Sequence, residues 1–140
     1  MTIYFDKTYQ RAFGTFPLRG EQLDSALNTA IKAGYRAIDT AQMYQNEADV
    51  GTSLAATDIS RDELCITTKV HPDNFTEDKF LPSVEQSLKD LKIDYADVLL
   101  LHWPPVGGQI TTPLKLLQQA HQQGFARHIG VSNYTAQMMR

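Results

Sequence analysis

The sequence has few of the features that mark secreted or membrane-spanning proteins. It contains one cysteine, Cys65, so no disulfide can form within the chain, and a reducing compartment suits it. No apolar run approaches the roughly 20 residues that a membrane-spanning helix needs. The first ten residues, MTIYFDKTYQ, lack the basic-then-apolar order of a secretion signal. These absences favour a cytoplasmic protein with no membrane partner.

The chain also lacks an excess of charge of one sign. Its 13 Lys and Arg and 16 Asp and Glu are interspersed and give a formal net charge of −3. Electrostatic binding to nucleic acid or to an anionic membrane requires a basic patch. Neither partner is therefore expected. A hydrophobic content of 42% with 21% charged residues is instead typical of a soluble globular protein.

What the sequence does contain is a regular alternation of strand-like and helix-like segments. Between the apolar strands, hydrophobic residues recur at helical spacing, as at Leu23, Leu27 and Ile31. Gly34 and Gly124 lie where glycines commonly terminate helices. A segment at 135–140 is predicted to begin a fifth helix. The predicted strands are residues 12–15, 35–39, 63–69, 95–102 and 126–131.

The length of the repeat favours one fold over its main alternative. Each strand–helix unit takes roughly 29 residues, so eight units need about 230 residues, the size of a closed (β/α)8 barrel. A Rossmann or flavodoxin-like sheet is the alternative, but the first turn, GTFPLRGEQLD, contains no G-x-G-x-x-G. An isolated five-stranded parallel sheet would leave two long edges unpaired. We therefore expect residues 1–140 to form the N-terminal part of a single α/β TIM barrel domain, with about five strands and four helices.

Titratable side chains follow three of the predicted strands at the point where each strand ends. These are Asp39, Lys69 and His102, and Tyr44 follows Asp39 by five residues. A strand that is buried on both faces has no room for a charge except at its ends. Active sites of α/β barrels assemble at the carboxyl ends of successive strands. The pattern predicts that these residues share one catalytic site.

The segments around these residues resemble the signatures of the aldo-keto reductase family. They are YRAIDTAQMYQNE, ITTKV, LLLHWP and IGVSNY, in the family's order and at roughly its spacing. The resemblance covers nearly the whole chain, from about Phe13 onwards. Bacterial members that reduce 2,5-diketo-gluconate and small aldehydes are the most similar. The resemblance implies a TIM barrel and the transfer of a hydride from NAD(P)H to an aldehyde or ketone.

The chemistry of carbonyl reduction needs the same four residue types. Hydride addition leaves negative charge on oxygen, so the oxygen needs a proton donor and a polar cradle. Tyr44 can donate the proton, and an ammonium such as Lys69 makes a nearby phenol a stronger acid. Asp39 can pair with Lys69, and His102 can hydrogen-bond the substrate carbonyl. The family resemblance implies these same roles.

The hydride must come from a cofactor, because no side chain can supply one. Ser132 and Asn133 directly follow the fifth strand, and the resemblance implies that they bind the nicotinamide carboxamide. Gly14 and Thr15 end the first strand and would let the backbone approach the middle of the cofactor, near Asp39. NADPH is the family's usual cofactor, and NADH is not excluded. No spacing of His or carboxylate residues indicates a metal site.

The substrate pocket departs from the family at two positions. Phe16 and His71 stand where many members have tryptophan, whereas Trp103 is retained. Together with His102, these residues predict a somewhat smaller and more polar pocket. We expect a small or hydroxylated carbonyl substrate rather than a bulky one.

Each of the four catalytic candidates also has an ordinary structural interpretation. Asp39 could cap the next helix, Tyr44 and Lys69 could be solvated, and His102 could pack in an aromatic corner. These explanations require four unrelated coincidences in the family's order, so a reductase is the preferred hypothesis. The alternatives are a non-catalytic half-barrel remnant and a module that senses cofactor or binds a partner. A complete barrel is expected to be a monomer, and a truncated one could self-associate.

Overall fold

The computed structural model describes residues 11–140, which form one parallel sheet covered by helices. The order of the strands in the sheet is their order in the chain, as in a β/α barrel. The strands are β1 (Ala12–Gly14), β2 (Ala37–Asp39), β3 (Cys65–Val70), β4 (Ala96–Leu101) and β5 (Ala126–Val131). The helices are α1 (Gly20–Lys32), α2 (Glu47–Ala55), α3 (Phe80–Leu91) and α4 (Thr111–Gln122). None of the helices between residues 11 and 140 combines the length and hydropathy needed to cross a membrane.

The apolar stripes of the helices pack on one face of the sheet in two clusters. Both clusters use the helical spacing that the sequence predicted. The first joins α1 and α2 to β2 and β3, and includes Leu23, Leu27, Ile38, Val50 and Ile66. The second joins α3 and α4 to β3, β4 and β5, and includes Val70, Phe80, Val84, Leu99 and Leu117. β3 therefore contributes to both clusters and is buried along its whole length.

This packing determines which strand residues point away from the helices. Successive side chains of a strand point to opposite faces. Because Ile66 and Val70 pack against the helices, Lys69 projects from the other face of β3. Ile38 likewise faces the helices, so Asp39 projects from the same face as Lys69. The parallel pairing of β2 with β3 brings the two side chains to the same end of the sheet.

The five strands and first four helices match the predicted ones except near some of their ends, whereas the predicted fifth helix is not formed within the described residues. The predicted third strand began at Glu63, but this residue forms a capping box with Ser60 before β3. The predicted fifth helix is a single turn, in which the N–H groups of Met138 and Met139 donate to the Thr135 carbonyl at 3.0 and 3.3 Å. One turn of hydrogen bonds is too short to make a stable helix. Residues 1–10, where no secretion signal was expected, lie outside the described residues.

Helices α2 and α3 touch through their backbones at Gly51. A Cβ at this position would lie 2.2 Å from the Asp90 carbonyl oxygen and 2.7 Å from backbone atoms of Leu91. Contacts this short are incompatible with any side chain. Glycine at position 51 therefore allows α2 to lie directly against α3.

Candidate active site

Lys69 and Asp39 form an ion pair at the carboxyl ends of β3 and β2. The Lys69 Nζ donates to Asp39 Oδ1 at 2.5 Å and to the Thr40 carbonyl at 2.9 Å. The Lys69 side chain is 8% exposed, whereas that of Asp39 is 33% exposed. A buried ammonium needs such partners to offset the loss of water. Asp39 thus pairs with Lys69, and α2 begins only at Glu47, so Asp39 does not cap that helix.

Tyr44 lies beside this ion pair, at the end of a short 3₁₀ turn formed by Gln42–Tyr44. The Lys69 Nζ donates to the Tyr44 hydroxyl oxygen at 3.4 Å and lies 5.0 Å from the centre of its ring. An ammonium can only donate hydrogen bonds, so the phenol keeps its own proton for another acceptor. The ammonium also stabilises the phenolate that would form after proton transfer. The arrangement is that of a proton donor next to a fixed positive charge.

His102 follows β4 and brings a buried imidazole to the same group. Its ring lies 5.5 Å from the Tyr44 ring, edge to face, and 6.1 Å from the Trp103 ring, stacked. Burial lowers the pKa of His102 below its ordinary value, and the Lys69 charge lowers it further. The ring is therefore neutral at neutral pH. Its Nδ1 is buried and has no hydrogen-bond partner among residues 11–140.

Aromatic side chains line the open side of this group. The Phe16 ring lies 5.2 Å from that of Tyr44, so Phe16, Tyr44, His102 and Trp103 form a continuous row of rings. Phe16 is 65% exposed and Trp103 is 46% exposed, although both are large and apolar. Exposed apolar rings around a polar centre are typical of a small-molecule site.

His71, also predicted to line the substrate pocket, directly follows β3. Its ring makes a hydrogen bond within its own loop. Its Nδ1 accepts a hydrogen bond from the Asp73 N–H at 3.1 Å and so caps the short turn at Pro72–Asn74. Its backbone N–H donates to Gln42 Oε1 at 2.8 Å, so His71 lies beside the turn that carries Tyr44. His71 therefore lies near the site without joining the row of rings.

Besides Asp39, at the end of β2, the residues predicted to contact the cofactor lie at the ends of β1 and β5. Thr15 is fully buried and its Oγ1 accepts from Asn46 Nδ2 at 3.2 Å, so its side chain serves the fold. A Cβ at Gly14 would meet no atom within 4 Å, so the backbone there faces open space. Asn133 Nδ2 donates to the His102 carbonyl at 2.8 Å and to Ser132 Oγ at 3.1 Å. Adjacent hydroxyl and amide groups of this kind fit a carboxamide ligand.

Metal chemistry has no comparable arrangement. Within residues 11–140, no three His, Cys, Asp or Glu side chains converge in a way that would hold a metal ion.

Sequence reasoning missed Gln42, whose side chain links three segments around Tyr44. Its Nε2 lies 3.1 Å from the Ser83 carbonyl, from Ser83 Oγ and from Ser87 Oγ, all on α3. Its Oε1 accepts from the His71 N–H at 2.8 Å and from Asn74 Nδ2 at 2.9 Å. The only signal in the sequence is a pair of serines, four residues apart, beside the apolar stripe of α3.

Asn46 makes a similar set of bonds on the other side of Tyr44. Its Oδ1 accepts from Thr40 Oγ1 at 2.8 Å, and its Nδ2 lies 3.3 Å from the Thr15 carbonyl and 3.0 Å from the Leu18 carbonyl. Asn46 is 1% exposed. It therefore joins the loop after β1 to the turn that carries Tyr44.

A buried carboxylate, Glu47, connects α2 with β3 and α3. It accepts hydrogen bonds from Thr68 Oγ1 at 2.5 Å and from Ser87 Oγ at 3.0 Å. Burial raises the pKa of Glu47 above its ordinary value, although both hydrogen bonds oppose that rise. Thr68 precedes Lys69, so this carboxylate supports the strand that holds the ammonium.

Two curated reductases are similar to this chain over most of its length. The chain is 44% identical over 128 residues to methylglyoxal reductase DkgB of Salmonella typhi, a match that covers 90% of this chain and 48% of that protein. It is 37% identical over 128 residues to 2,5-diketo-D-gluconic acid reductase B of Corynebacterium sp., covering 91% of this chain and 46% of that protein. The chain thus spans about half the length of the curated relatives it matches.

A crystal structure of an aldo/keto reductase from Brucella melitensis has the same fold. It superposes with a TM-score of 0.85 at 33% identity, covering 91% of this chain and 50% of that one. The five strands and four helices thus form part of a (β/α)8 barrel, as the sequence predicted. The model of the aldo/keto reductase family matches residues 12–140. On this match, the relatives and the shared fold, the chain belongs to the aldo/keto reductase family.

Proposed function

We propose that the protein reduces an aldehyde or ketone with a nicotinamide cofactor, and that Tyr44 donates the proton. One observation carries the proposal. The Lys69 Nζ lies within hydrogen-bond distance of both the Asp39 carboxylate, at 2.5 Å, and the Tyr44 hydroxyl, at 3.4 Å. A phenol beside a held ammonium is suited to protonate an oxygen on which negative charge develops. Membership of the family supports the same reaction.

The residues of this chain act on the carbonyl oxygen and its proton. The bound dihydronicotinamide would supply the hydride. Tyr44 gives its proton to the carbonyl oxygen, and Lys69 stabilises the phenolate that remains. Asp39 holds the ammonium in place and keeps its charge paired. His102, as a neutral ring, hydrogen-bonds the carbonyl oxygen and fixes its orientation.

For the cofactor we propose NADPH, with its carboxamide bound by Ser132 and Asn133. The side chains of these two residues lie next to each other beyond β5, and Asn133 is anchored to the backbone of His102. This anchor would place the carboxamide beside the ring that orients the substrate. Gly14 and Thr15 contribute backbone rather than side chains, since the Thr15 hydroxyl is already bonded to Asn46.

For the substrate we propose a small or hydroxylated carbonyl compound. The exposed rings of Phe16 and Trp103 border the polar group, and His71 adds a polar side chain nearby. Relatives that carry the names of a methylglyoxal reductase and a diketo-gluconic acid reductase support a small polar substrate. Equal kcat/KM values for a steroid ketone and a short aldehyde would contradict this choice.

The test is the Tyr44→Phe variant, assayed with NADPH and a short aldehyde. Phenylalanine keeps the ring contacts with Phe16 and His102 and removes the hydroxyl, which is both the proton donor and an acceptor for Lys69. We expect kcat to fall by about 10² to 10⁴, the usual contribution of a positioned acid. The affinity for NADPH, measured by fluorescence titration, should change little.

Tyr35→Phe is the matched control, because Tyr35 lies between α1 and β2, outside the site. Near-full activity of Tyr44→Phe would show that another group is the acid. If the unmodified protein bound NADPH without turning over any aldehyde, a cofactor-binding module would replace the reductase.

A further inference from the structure

We propose that Gln42 is a positioning residue that holds the proton donor Tyr44 against Lys69. The inference rests on the proposed function, because it concerns how Tyr44 is kept in place for proton transfer. The Gln42 side chain has hydrogen-bond contacts with four residues. Those contacts join the turn of Tyr44 to α3 and to the loop after β3.

The Gln42 amide is saturated with hydrogen bonds. Its Oε1 accepts from His71 N and from Asn74 Nδ2, at 2.8 and 2.9 Å, which uses both lone pairs. Its Nε2 meets three acceptors on α3, each at 3.1 Å. The orientation of the amide follows from its partners, because the backbone N–H of His71 can only donate and the Ser83 carbonyl can only accept. The side chain thus has one arrangement that satisfies all its partners.

Residues on either side of the turn that carries Tyr44 bond to β3: the Thr40 N–H donates to the Thr67 carbonyl at 2.9 Å, and Glu47 accepts from Thr68 Oγ1. Within the turn, the Tyr44 N–H donates to the Ala41 carbonyl and the Gln45 N–H donates to the Gln42 carbonyl, both at 3.1 Å. These local bonds keep the shape of the turn but do not fix it relative to β3. Asn46 attaches the turn to the loop after β1, on the opposite side. Gln42 is therefore the residue within the turn whose side chain bonds both to α3 and to the loop after β3.

The attachment of the turn by Gln42 matters for catalysis because the hydrogen bond between Lys69 and Tyr44 is long. At 3.4 Å, the bond from Lys69 Nζ to the Tyr44 hydroxyl is already near the upper limit for a hydrogen bond. A further displacement of the turn would break it. Misplacing a reacting group by about 1 Å can cost about 10²-fold in rate. The same side chain also holds the His71 backbone, so it couples the proton donor to the pocket wall.

The experiment replaces Gln42 with methionine, which has a similar length and shape but cannot make these hydrogen bonds. Gln86→Met is the matched control: Gln86 lies on α3, and its side chain makes one exposed bond, to Asp90 Oδ1 at 2.8 Å. Relative to this control, we expect Gln42→Met to lose about 10- to 100-fold in kcat with an unchanged KM for NADPH. Deuterium exchange of the His71 amide should be faster, because its acceptor is gone.

A second variant separates positioning from a loss of folded protein. Gln42→Glu keeps an oxygen that accepts from the His71 N–H and from Asn74 Nδ2, and loses only the donor that faces α3. We expect it to recover part of the lost kcat. The proposal is overturned if Gln42→Met matches Gln86→Met in kcat, or if kcat falls only in proportion to the unfolded fraction. If the unmodified protein reduces no aldehyde, the proposed function itself has failed.

Discussion

A buried charged side chain lies at each end of the sheet. The two ends differ in whether the polar groups around that charge already have protein partners. At the amino-terminal end of β4, the Asp97 side chain is 1% exposed and accepts from Arg61 Nη2 at 2.7 Å and from the Ile66 N–H at 2.9 Å. Arg127 Nη1 approaches its other oxygen at 3.5 Å. Both guanidinium groups also lie on the Tyr95 ring, 4.3 and 4.1 Å from its centre. Here both oxygens of the buried Asp97 carboxylate are occupied by protein donors, and the buried Arg61 Nε is left without a partner among the described residues.

At the carboxyl end, the charges leave bonding capacity unused. Asp39 is one-third exposed, the Tyr44 hydroxyl accepts from Lys69 but keeps its proton, and the His102 Nδ1 has no partner among the described residues. Both ends contain a short ion pair, so an ion pair alone does not mark a reactive site. The difference is whether polar groups remain available to a third molecule. This comparison separates a structural charge cluster from a candidate catalytic one.

The largest expected effect on stability is at Asp97. Asp97→Asn removes the negative charge that two arginines share, while the side chain keeps its shape. Because the amide weakens the charge-assisted hydrogen bonds from Arg61 and from the buried Ile66 N–H, we expect the free energy of unfolding to fall by about 2 kcal/mol. Urea denaturation measures this loss. The kcat of the remaining folded protein should be nearly unchanged, and a large fall in kcat would contradict the separation of the two ends.

Lys69→Met should have the opposite effect to Asp97→Asn, with a large loss of kcat and a small loss of stability. Removing the ammonium takes away the charge that stabilises the Tyr44 phenolate, so we expect kcat to fall by about 10² or more. The remaining Asp39 is 33% exposed and can be solvated, so the unfolding free energy should change by about 1 kcal/mol or less. The same urea titration and aldehyde assay measure both quantities. A stability loss as large as that of Asp97→Asn would break the comparison.

A smaller effect is expected in the response to acid. The pKa of His102 is lowered in the folded protein by burial, from an ordinary value of 6.5. Below that pH the unfolded chain binds a proton more readily than the folded one, so stability is lost as the pH falls through 6.5. Between about pH 7.5 and 5.5, His102→Gln should lose less unfolding free energy than the unmodified protein.

His128→Gln is the control for this measurement, because His128 is exposed on β5. Its acid sensitivity should stay close to that of the unmodified protein. Equal pH dependence in the His102→Gln variant and the unmodified protein would mean that the imidazole is not disfavoured as a cation at this end of the sheet.

The sequence predicted those parts of the molecule that depend on periodicity and on strand ends. The helical spacing of Leu23, Leu27 and Ile31 placed α1, and the structure buries all three. Asp39, Lys69 and His102 were predicted to meet because parallel strands bring their carboxyl ends together. The structure places all three within one connected group with Tyr44.

The hydrogen bonds between side chains of distant segments could not be predicted from the sequence. Gln42 bonds to Ser83 and Ser87, which are 41 and 45 residues away, and no spacing rule connects a glutamine in a turn with serines on a later helix. Asp97 was passed over for a related reason. Asp97 lies near the amino-terminal end of β4, whereas the active sites of α/β barrels lie at the carboxyl ends of the strands.

The contact at Gly51 has a consequence for how mutational data on this protein should be interpreted. Any side chain at position 51 would push α2 away from α3, because the Asp90 carbonyl occupies that space. The first turn of α2 carries Glu47, preceded by Asn46, and α3 carries the serines that hold Gln42. Separating the helices would thus disturb supports on both sides of Tyr44. A saturation library scored only by activity would rank position 51 among the catalytic residues, although Gly51 has no functional group.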